Sequence, residues 1–512
     1  MRNQKSNTSP GKYLSQAKQK GVILIQVLVF ATIAVIVMGG LVSWAGTNVK
    51  VARSNLNREK AFQIAEAGIE YYRWHLAHAN TDFQDGTGVA GPYVHNFTDR
   101  DGGIIGSFTL TITPPPIGST KVIIQSVGNT VEQPTVTRTI TAALAIPSLA
   151  KYAVVANANM RFGAGTEVFG PIHSNGGIRF DGLAHNTIVS ALATYDDPDH
   201  SGGVEFGVHT HADLPPHYSP DIPPNSTVND NFRTTEAPPS AVAARSDIFL
   251  SGRQTGVPAV DFAGITTNMA TIKTSAQASG KYYASSGSLG YYILLRTNDT
   301  FDIYKVIALT TGNSSCNASM SAAADQTGWG TWSIKTKSLI AASVPFPANG
   351  LIFVEDNLWI DGQINSARLT VAAGQLPDVA ANRKNITING NLLYTDYTGN
   401  DAIALIAQNN INAGLDSLDT QRIDAALIAQ NGRAGRYYYN SYCGSGYLHT
   451  LLTLDGMLAT NLRYGFAYGS AASVVSGYQN RNIIYDSNLL YAPPPSFPLT
   501  SNQYSIISWK EK

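Results

Sequence analysis

From Val22 to Ala45 the chain runs for 24 residues without a charged side chain. As a helix, that is enough to cross a hydrocarbon core of about 30 Å. Five basic residues precede it (Arg2, Lys5, Lys12, Lys18 and Lys20) and no acidic one. By the positive-inside rule this places the N-terminus in the cytoplasm and the rest of the chain on the far side. The formal net charge of zero hides the asymmetry, since removing residues 1–20 leaves 30 basic against 35 acidic side chains. A plain anchor is one ordinary reading of such a run and a secretory signal peptide is another. The signal peptide fits poorly, because the apolar run is too long and the small residue, Gly21, stands before it.

The helical pattern continues past Ala45. Val49, Ala52, Leu56, Ala61, Phe62, Ile64, Ala65, Ile69, Tyr72 and Leu76 recur at three- and four-residue steps, and no proline interrupts residues 22–79. One helix over 22–78 would be about 86 Å long. Its first half is apolar all round and its second half amphipathic, a division that a mere anchor does not need. A basic leader ending in Lys20-Gly21, directly before an apolar helix, looks like a type IV prepilin. Ala61-Phe-Gln-Ile-Ala-Glu-Ala-Gly-Ile-Glu70 is similar to the end of that helix in PilX-like minor pilins. Across residues 18–80 the chain resembles this family. The resemblance implies cleavage by prepilin peptidase between Gly21 and Val22 and methylation of Val22. It also implies an inner-membrane stage, bundling with other pilins through the helix, and assembly into an extracellular type IV pilus. One departure is visible: Gln26 stands at the fifth mature position, where major pilins carry Glu. Gln cannot form the salt bridge that Glu makes to the next subunit's N-terminal amine. The loss suggests a minor or tip subunit, and type II secretion pseudopilins share the same chemistry. Alternatively, Gln26 simply hydrogen-bonds within its own helix.

Only 14% of the residues are charged, against about 25% in an average domain, while Gly reaches 46 and Tyr outnumbers Phe, 25 to 17. Balanced charge argues against a generally basic nucleic-acid-binding protein. The composition favours turns and β surfaces, so the expected class is α+β, mostly β. Strand-like runs at 104–113, 120–127 and 135–146 predict a small antiparallel meander within residues 80–147. Beyond it, an apolar-x-apolar-[Asp/Asn]-Gly pattern occurs four times, ending at Gly182, Gly362, Gly390 and Gly456. Ala404-Leu-Ile-Ala-Gln-Asn409 also returns unchanged as Ala426-Leu-Ile-Ala-Gln-Asn431. Short strands repeating every 20–28 residues or so, with Asn and Gly at the corners, predict a β-solenoid. A sandwich with Asp-Gly hairpins is the alternative. The reading divides the chain into a leader (1–21), a transmembrane helix (22–79), the meander (80–147) and first solenoid rungs (148–194). An inserted irregular subdomain (195–345), the main solenoid (346–484) and a C-terminal strap (485–512) follow. The Pro-rich tail is similar to the ending of large PilX-like proteins with repetitive β heads, and it is expected to cover the solenoid's open end.

Four sets of residues are candidates for chemistry. Asp196, Asp197, Asp199, His200, His209, His211, Asp213 and His217 crowd into 22 residues. Of these, His200, His209, His211 and Asp213 form the candidate metal set, although the spacing matches no protease or finger pattern. Arg433, Arg436, Tyr437, Tyr438, Tyr439 and Tyr442 mix cations with rings and can stack on bases or sugars if they face outward; buried, they are a structural stack. Asp416, Asp419 and Asp424 are the nearest approach to the paired carboxylates of a polysaccharide-degrading solenoid, but Asp is also an ordinary turn former. Cys316 and Cys443 lie in the exported region, where a disulfide is permitted. No phosphate loop, dinucleotide fingerprint or nucleophile elbow is present, and no cofactor is expected. A non-enzymatic subunit is therefore expected, whose head binds a surface glycan or DNA. The alternatives are a membrane-tethered polysaccharide-active enzyme and a type II secretion pseudopilin.

Overall fold

The computed structural model describes residues 19–199, 203–212, 236–262, 264, 268–312, 315–316, 328–470 and 473–512. The protein is mostly β, with one long N-terminal helix and several sheets. Helix α1 runs unbroken over Gln19–His78. It is long and apolar enough, by length and composition, to cross a membrane. Val22 to Val51 are exposed on every side. Burial then selects Asn57, Ala61, Ile64, Ala65, Gly68, Ile69, Tyr72 and Leu76, a single helical face. Val49, Ala52 and Leu56 share the spacing but stay exposed, because the helix overhangs the sheet by that length.

The sheet under this face comprises β1 (Tyr93–Thr98), β2 (Ile104–Thr113), β3 (Val122–Thr130) and β4 (Thr137–Ala145). Alternate residues point at the helix, among them Phe108, Leu110, Val122, Ile124, Ile140 and Ala142. A Cβ on Gly68 would stand 2.3 Å from Ser126 Oγ and 2.9 Å from Phe108 Cδ2. On the facing strand, a Cβ on Gly128 would lie 2.2 Å from the Ala61 carbonyl oxygen. The small residues of Ala61-Phe-x-x-Ala-x-x-Gly68 thus let helix and sheet approach backbone to backbone. Strand β1 lies before the first strand-like run read from the sequence, since polar residues interleave its apolar ones.

A fifth strand comes from the far end of the chain. Ser505–Glu511 pairs antiparallel with β4, Trp509 opposite Ala142. The Trp509 ring meets Phe62 of the helix edge-on, centroids 6.0 Å apart. The final residues therefore cover the edge of β4 instead of capping the head, and the whole head is inserted between two neighbouring strands of one sheet. The earlier part of the tail does lie along the head: buried Thr370 donates its hydroxyl proton to the Pro495 carbonyl. Arg368 donates to the carbonyls of Ile117 at 3.1 Å and Pro493 at 2.7 Å, fastening tail, head and sheet together.

In the head, Leu351–Val354, Arg368–Ala373, Ala402–Ala407, Thr420–Ala429 and Leu448–Thr460 form a parallel ladder. The repeated segments lie directly on one another: Ala404 on Ala426, Leu405 on Leu427, Ile406 on Ile428 and Ala407 on Ala429. Leu405, Leu427 and Val371 point into the main core. Ile406 and Ile428 point to the opposite face, where Met269 and Ile272 of the helix Asn268–Ser279 and Phe497 of the tail cover them. Identical residues recur because each layer presents the next with the same environment. Side-chain amides continue the stacking at one corner: Asn357 Oδ1 accepts from the Asn385 N–H at 3.0 Å, and Asn385 Oδ1 from Asn409 Nδ2 at 3.0 Å. Neutral amides there explain part of the shortage of charge. The repeated Gly residues are expected at turns, yet Gly362 and Gly456 sit inside strands. A Cβ on them would come within 2.2 Å of the Leu295 oxygen and 2.1 Å of the Ala425 oxygen.

The ladder does not follow chain order. Leu458–Thr460 pairs with Val154–Ala156, and Ile172–Ser174, Ile188–Ser190 and Arg253–Thr255 follow. The first layers in sequence thus stack on the last. Buried Arg481 fixes this join, donating to the carbonyls of Tyr478 at 2.8 Å, Gln479 at 2.7 Å and Ala164 at 2.6 Å and to Thr166 Oγ1 at 2.7 Å. At the other end, Lys281–Tyr283 pairs with Ile352–Val354, and Tyr291–Leu295 with Leu358–Gly362. Residues 195–345, expected as an insertion, therefore enter the ladder at both of its ends. They lack the repeated motif: Arg253-Gln-Thr255, Lys281-Tyr-Tyr283 and Tyr291-Tyr-Ile-Leu-Leu295 fill these layers.

Candidate functional site

The Arg–Tyr cluster turns inward. Arg433, Arg436, Tyr437 and Tyr439 are buried, Tyr438 is half-buried, and Tyr442 is exposed. Arg436 ends the strand Ala434–Arg436, which runs parallel to Ile411–Ala413 and sets it opposite Ala413. Its guanidinium donates to the carbonyls of Leu415 at 3.0 Å, Tyr447 at 3.2 Å, Gly414 at 3.3 Å and Gly446, and to His449 Nε2 at 3.1 Å. It also lies 4.7 Å from the Tyr439 ring centroid. Burial followed by the Arg436 charge pushes the His449 imidazole down to about 4. All three guanidinium nitrogens have acceptors inside the head, so the cluster is a structural joint and not the outward stacking surface that its composition allows. Cys316 and Cys443 form a disulfide beside it, joining positions 127 residues apart.

The three candidate carboxylates disperse. Asp416 and Asp419 are exposed, while Asp424 is buried. Asp424 accepts from Arg422 Nε at 2.7 Å, the Tyr397 hydroxyl at 2.7 Å and the Tyr394 N–H at 3.0 Å. Its neighbour in the next layer is Asp455, which accepts from Arg422 Nη2 at 2.7 Å. Burial, then the Asp424 charge, pushes Asp455 up to about 6. Aligning the apolar residues of 423–429 with those of 454–460 would have revealed this pair.

The His-rich segment also folds inward. His200 and Asp213 lie outside the described residues, as does His217, but His209 and His211 come together with Asp197. One ligand atom from each of these three lies within 4.8 Å of the others, and all three residues are buried. The strand Val208–His209 runs parallel to Ile178–Phe180 and places His209 beside Arg179. Asp181 accepts from the His211 N–H at 2.8 Å and from Arg179 Nε at 2.7 Å, which fixes both elements. Asp197 Oδ1 accepts from the Asp199 N–H at 3.1 Å. Its other oxygen stands 3.5 Å from His209 Nε2 and 3.7 Å from Arg179 Nη1.

Gly21 and Val22 lie in the first turns of α1, and Gln26 is exposed within the uncharged run. A cleft of about 990 Å³ lies between the start of the head and the tail, lined by Lys151, Tyr152, His173, Asp261 and Phe497 among others.

No protein-family model matches the chain, and no curated protein matches it. Among solved structures it is similar to the competence-associated pilin ComZ from Thermus thermophilus, at 14% sequence identity over 89% of this chain and 97% of that one. The TM-score is 0.29, too low to carry weight for fold or function.

Proposed function

We propose that the chain is a non-enzymatic minor subunit of a type IV pilus. On this reading, prepilin peptidase cuts after Gly21, Val22 becomes the methylated N-terminus, and α1 holds the subunit in the inner membrane before joining other pilin helices. The observation that carries the proposal is the division of α1. From Val22 to Val49 it is uncharged and exposed, whereas Ala61 to Leu76 pack on the sheet through small residues at close contact. A helix that leaves its sheet and continues as a bare apolar rod suits insertion first in lipid and then among like helices. The head is a β-solenoid in this reading, supported by the parallel in-register layers and their amide stacking. Its role is binding at the pilus tip or surface, with a glycan or DNA as ligand.

N-terminal sequencing and intact mass of the membrane-extracted chain test the proposal. A methylated Val22 start is expected in cells with active prepilin peptidase and the full leader in cells without it. A chain beginning at Met1 in both would sink it. Pull-down through α1 then separates the pilus from a type II secretion system, as the co-purifying subunits differ.

A further inference from the structure

We infer that Asp197, His209 and His211 form a binding site for one divalent transition-metal ion of the zinc class, held inside the head. The argument begins with what the fold leaves unmatched. His209 is 0% exposed, and among the described residues neither of its ring nitrogens has a hydrogen-bond partner. Asp197 Oδ2 stands 3.5 Å from its Nε2 and itself lacks a hydrogen bond among the described residues. Tyr195, whose ring centroid is 5.4 Å from that of His209, keeps a buried hydroxyl without a partner. Buried polar groups are nearly always satisfied, so several orphans around one point call for an occupant.

The donor set identifies that occupant. Two imidazoles and one carboxylate, with ligand atoms all within 4.8 Å of one another, suit zinc and its first-row neighbours. Calcium and magnesium demand oxygen ligands and are disfavoured. The backbone holds the set in advance, because Asp181 grips the His211 N–H and the Asp199 N–H grips Asp197. Arg179 donates through its Nε to Asp181 at 2.7 Å, and its Nη1 stands 3.7 Å from Asp197 Oδ2, outside hydrogen-bond distance. Three protein ligands leave one position open to water. The second nitrogen of His209 would still lack an acceptor, so affinity falls below that of closed four-ligand sites. The competing explanation is a direct Asp197–His209 pair without metal.

The full chain, purified in detergent without a histidine tag, is analysed for metal by inductively coupled plasma mass spectrometry and melted in EDTA and in zinc. The expected result is about one equivalent of zinc per chain and a melting temperature that EDTA lowers and zinc restores. His209→Ala and Asp197→Asn should each lose the metal and the EDTA response. Should these variants fail to fold, cobalt added to the apo wild type should give d–d absorption bands that zinc abolishes. A wild type without metal, unaffected by EDTA, zinc or cobalt, overturns the inference in favour of the direct pair. A full equivalent of metal retained by folded His209→Ala overturns it as well.

Discussion

Two polar clusters lie buried in the same head, and they are built on opposite terms. Around Arg436, four backbone carbonyls and His449 accept from one guanidinium, and an aromatic ring lies over its charge. Around His209, both ring nitrogens and the nearest carboxylate oxygen lack hydrogen bonds. A satisfied buried cation rigidifies the joint that it fills, while an unsatisfied group calls for a missing partner. The sequence marks both clusters as candidate sites by composition alone, and only satisfaction separates them. Arg481 and Arg368 belong with Arg436, for each ties distant segments through carbonyls.

The largest expected effect follows from the satisfied cluster. Arg436→Ala removes the donor and leaves the carbonyls of Gly414, Leu415, Gly446 and Tyr447 without it. A loss of about 3–5 kcal/mol is expected, read as a large fall in melting temperature with metal content unchanged. A neutral outcome would erase the distinction, because the guanidinium would then contribute no more than its neighbours do.

The unsatisfied cluster should respond conditionally. In EDTA, His209→Gln should melt close to the wild type, as no hydrogen bond is lost. In zinc at 100 times its dissociation constant, the wild type alone should gain about 2.7 kcal/mol. Differential scanning fluorimetry in both buffers reads the contrast. Equal melting of the two proteins in zinc would remove the asymmetry between the clusters.

What the sequence revealed and what it hid have the same physical origin. The helix is legible because an uncharged run and a three-four spacing are local patterns. The stacking of Ala404–Ala407 on Ala426–Ala429 is legible because a layer repeats its own environment. The pairing of Ser505–Glu511 with β4 and of Leu458–Thr460 with Val154–Ala156 joins segments some three hundred residues or more apart. No periodicity announces such contacts. The Arg–Tyr run shows the limit for sites: residue type permits stacking, but only the neighbouring carbonyls decide that Arg436 faces inward. His209 and His211 were visible as residues two apart, whereas the choice of Asp197 over other nearby acids depends on the turn that holds it.

Acid tests the satisfied cluster from a second side. His449 accepts from Arg436, and its imidazole is pushed down to about 4. Between the ordinary histidine value and that one, the unfolded chain takes up a proton that the folded chain refuses. Stability should therefore fall as pH drops from about 6.5 towards 4. His449→Gln keeps an acceptor for Arg436 and removes the titration, so its melting temperature should fall less over that window. Parallel curves for the two proteins would detach His449 from the joint.

Asp455 should act in the opposite direction, and with the smallest effect. Its carboxyl is pushed up to about 6 by burial and the facing Asp424, against an ordinary value near 3.8. As pH rises from about 4 to 6 the unfolded chain ionises first, so this group withdraws stability across the window and the loss persists above it. Asp455→Asn keeps an oxygen for Arg422 Nη2 and removes the charge beside Asp424. The variant should melt with the wild type near pH 4 and a few degrees above it at pH 7.5. Because His449 and Asp455 tilt the curve in opposite senses, each offsets part of the other's slope in the wild type between pH 4 and 6. If Asp455→Asn instead melts below the wild type at pH 7.5, the charged Arg422–Asp455 pair outweighs the repulsion across the layers. Asp455 would then belong with the satisfied groups.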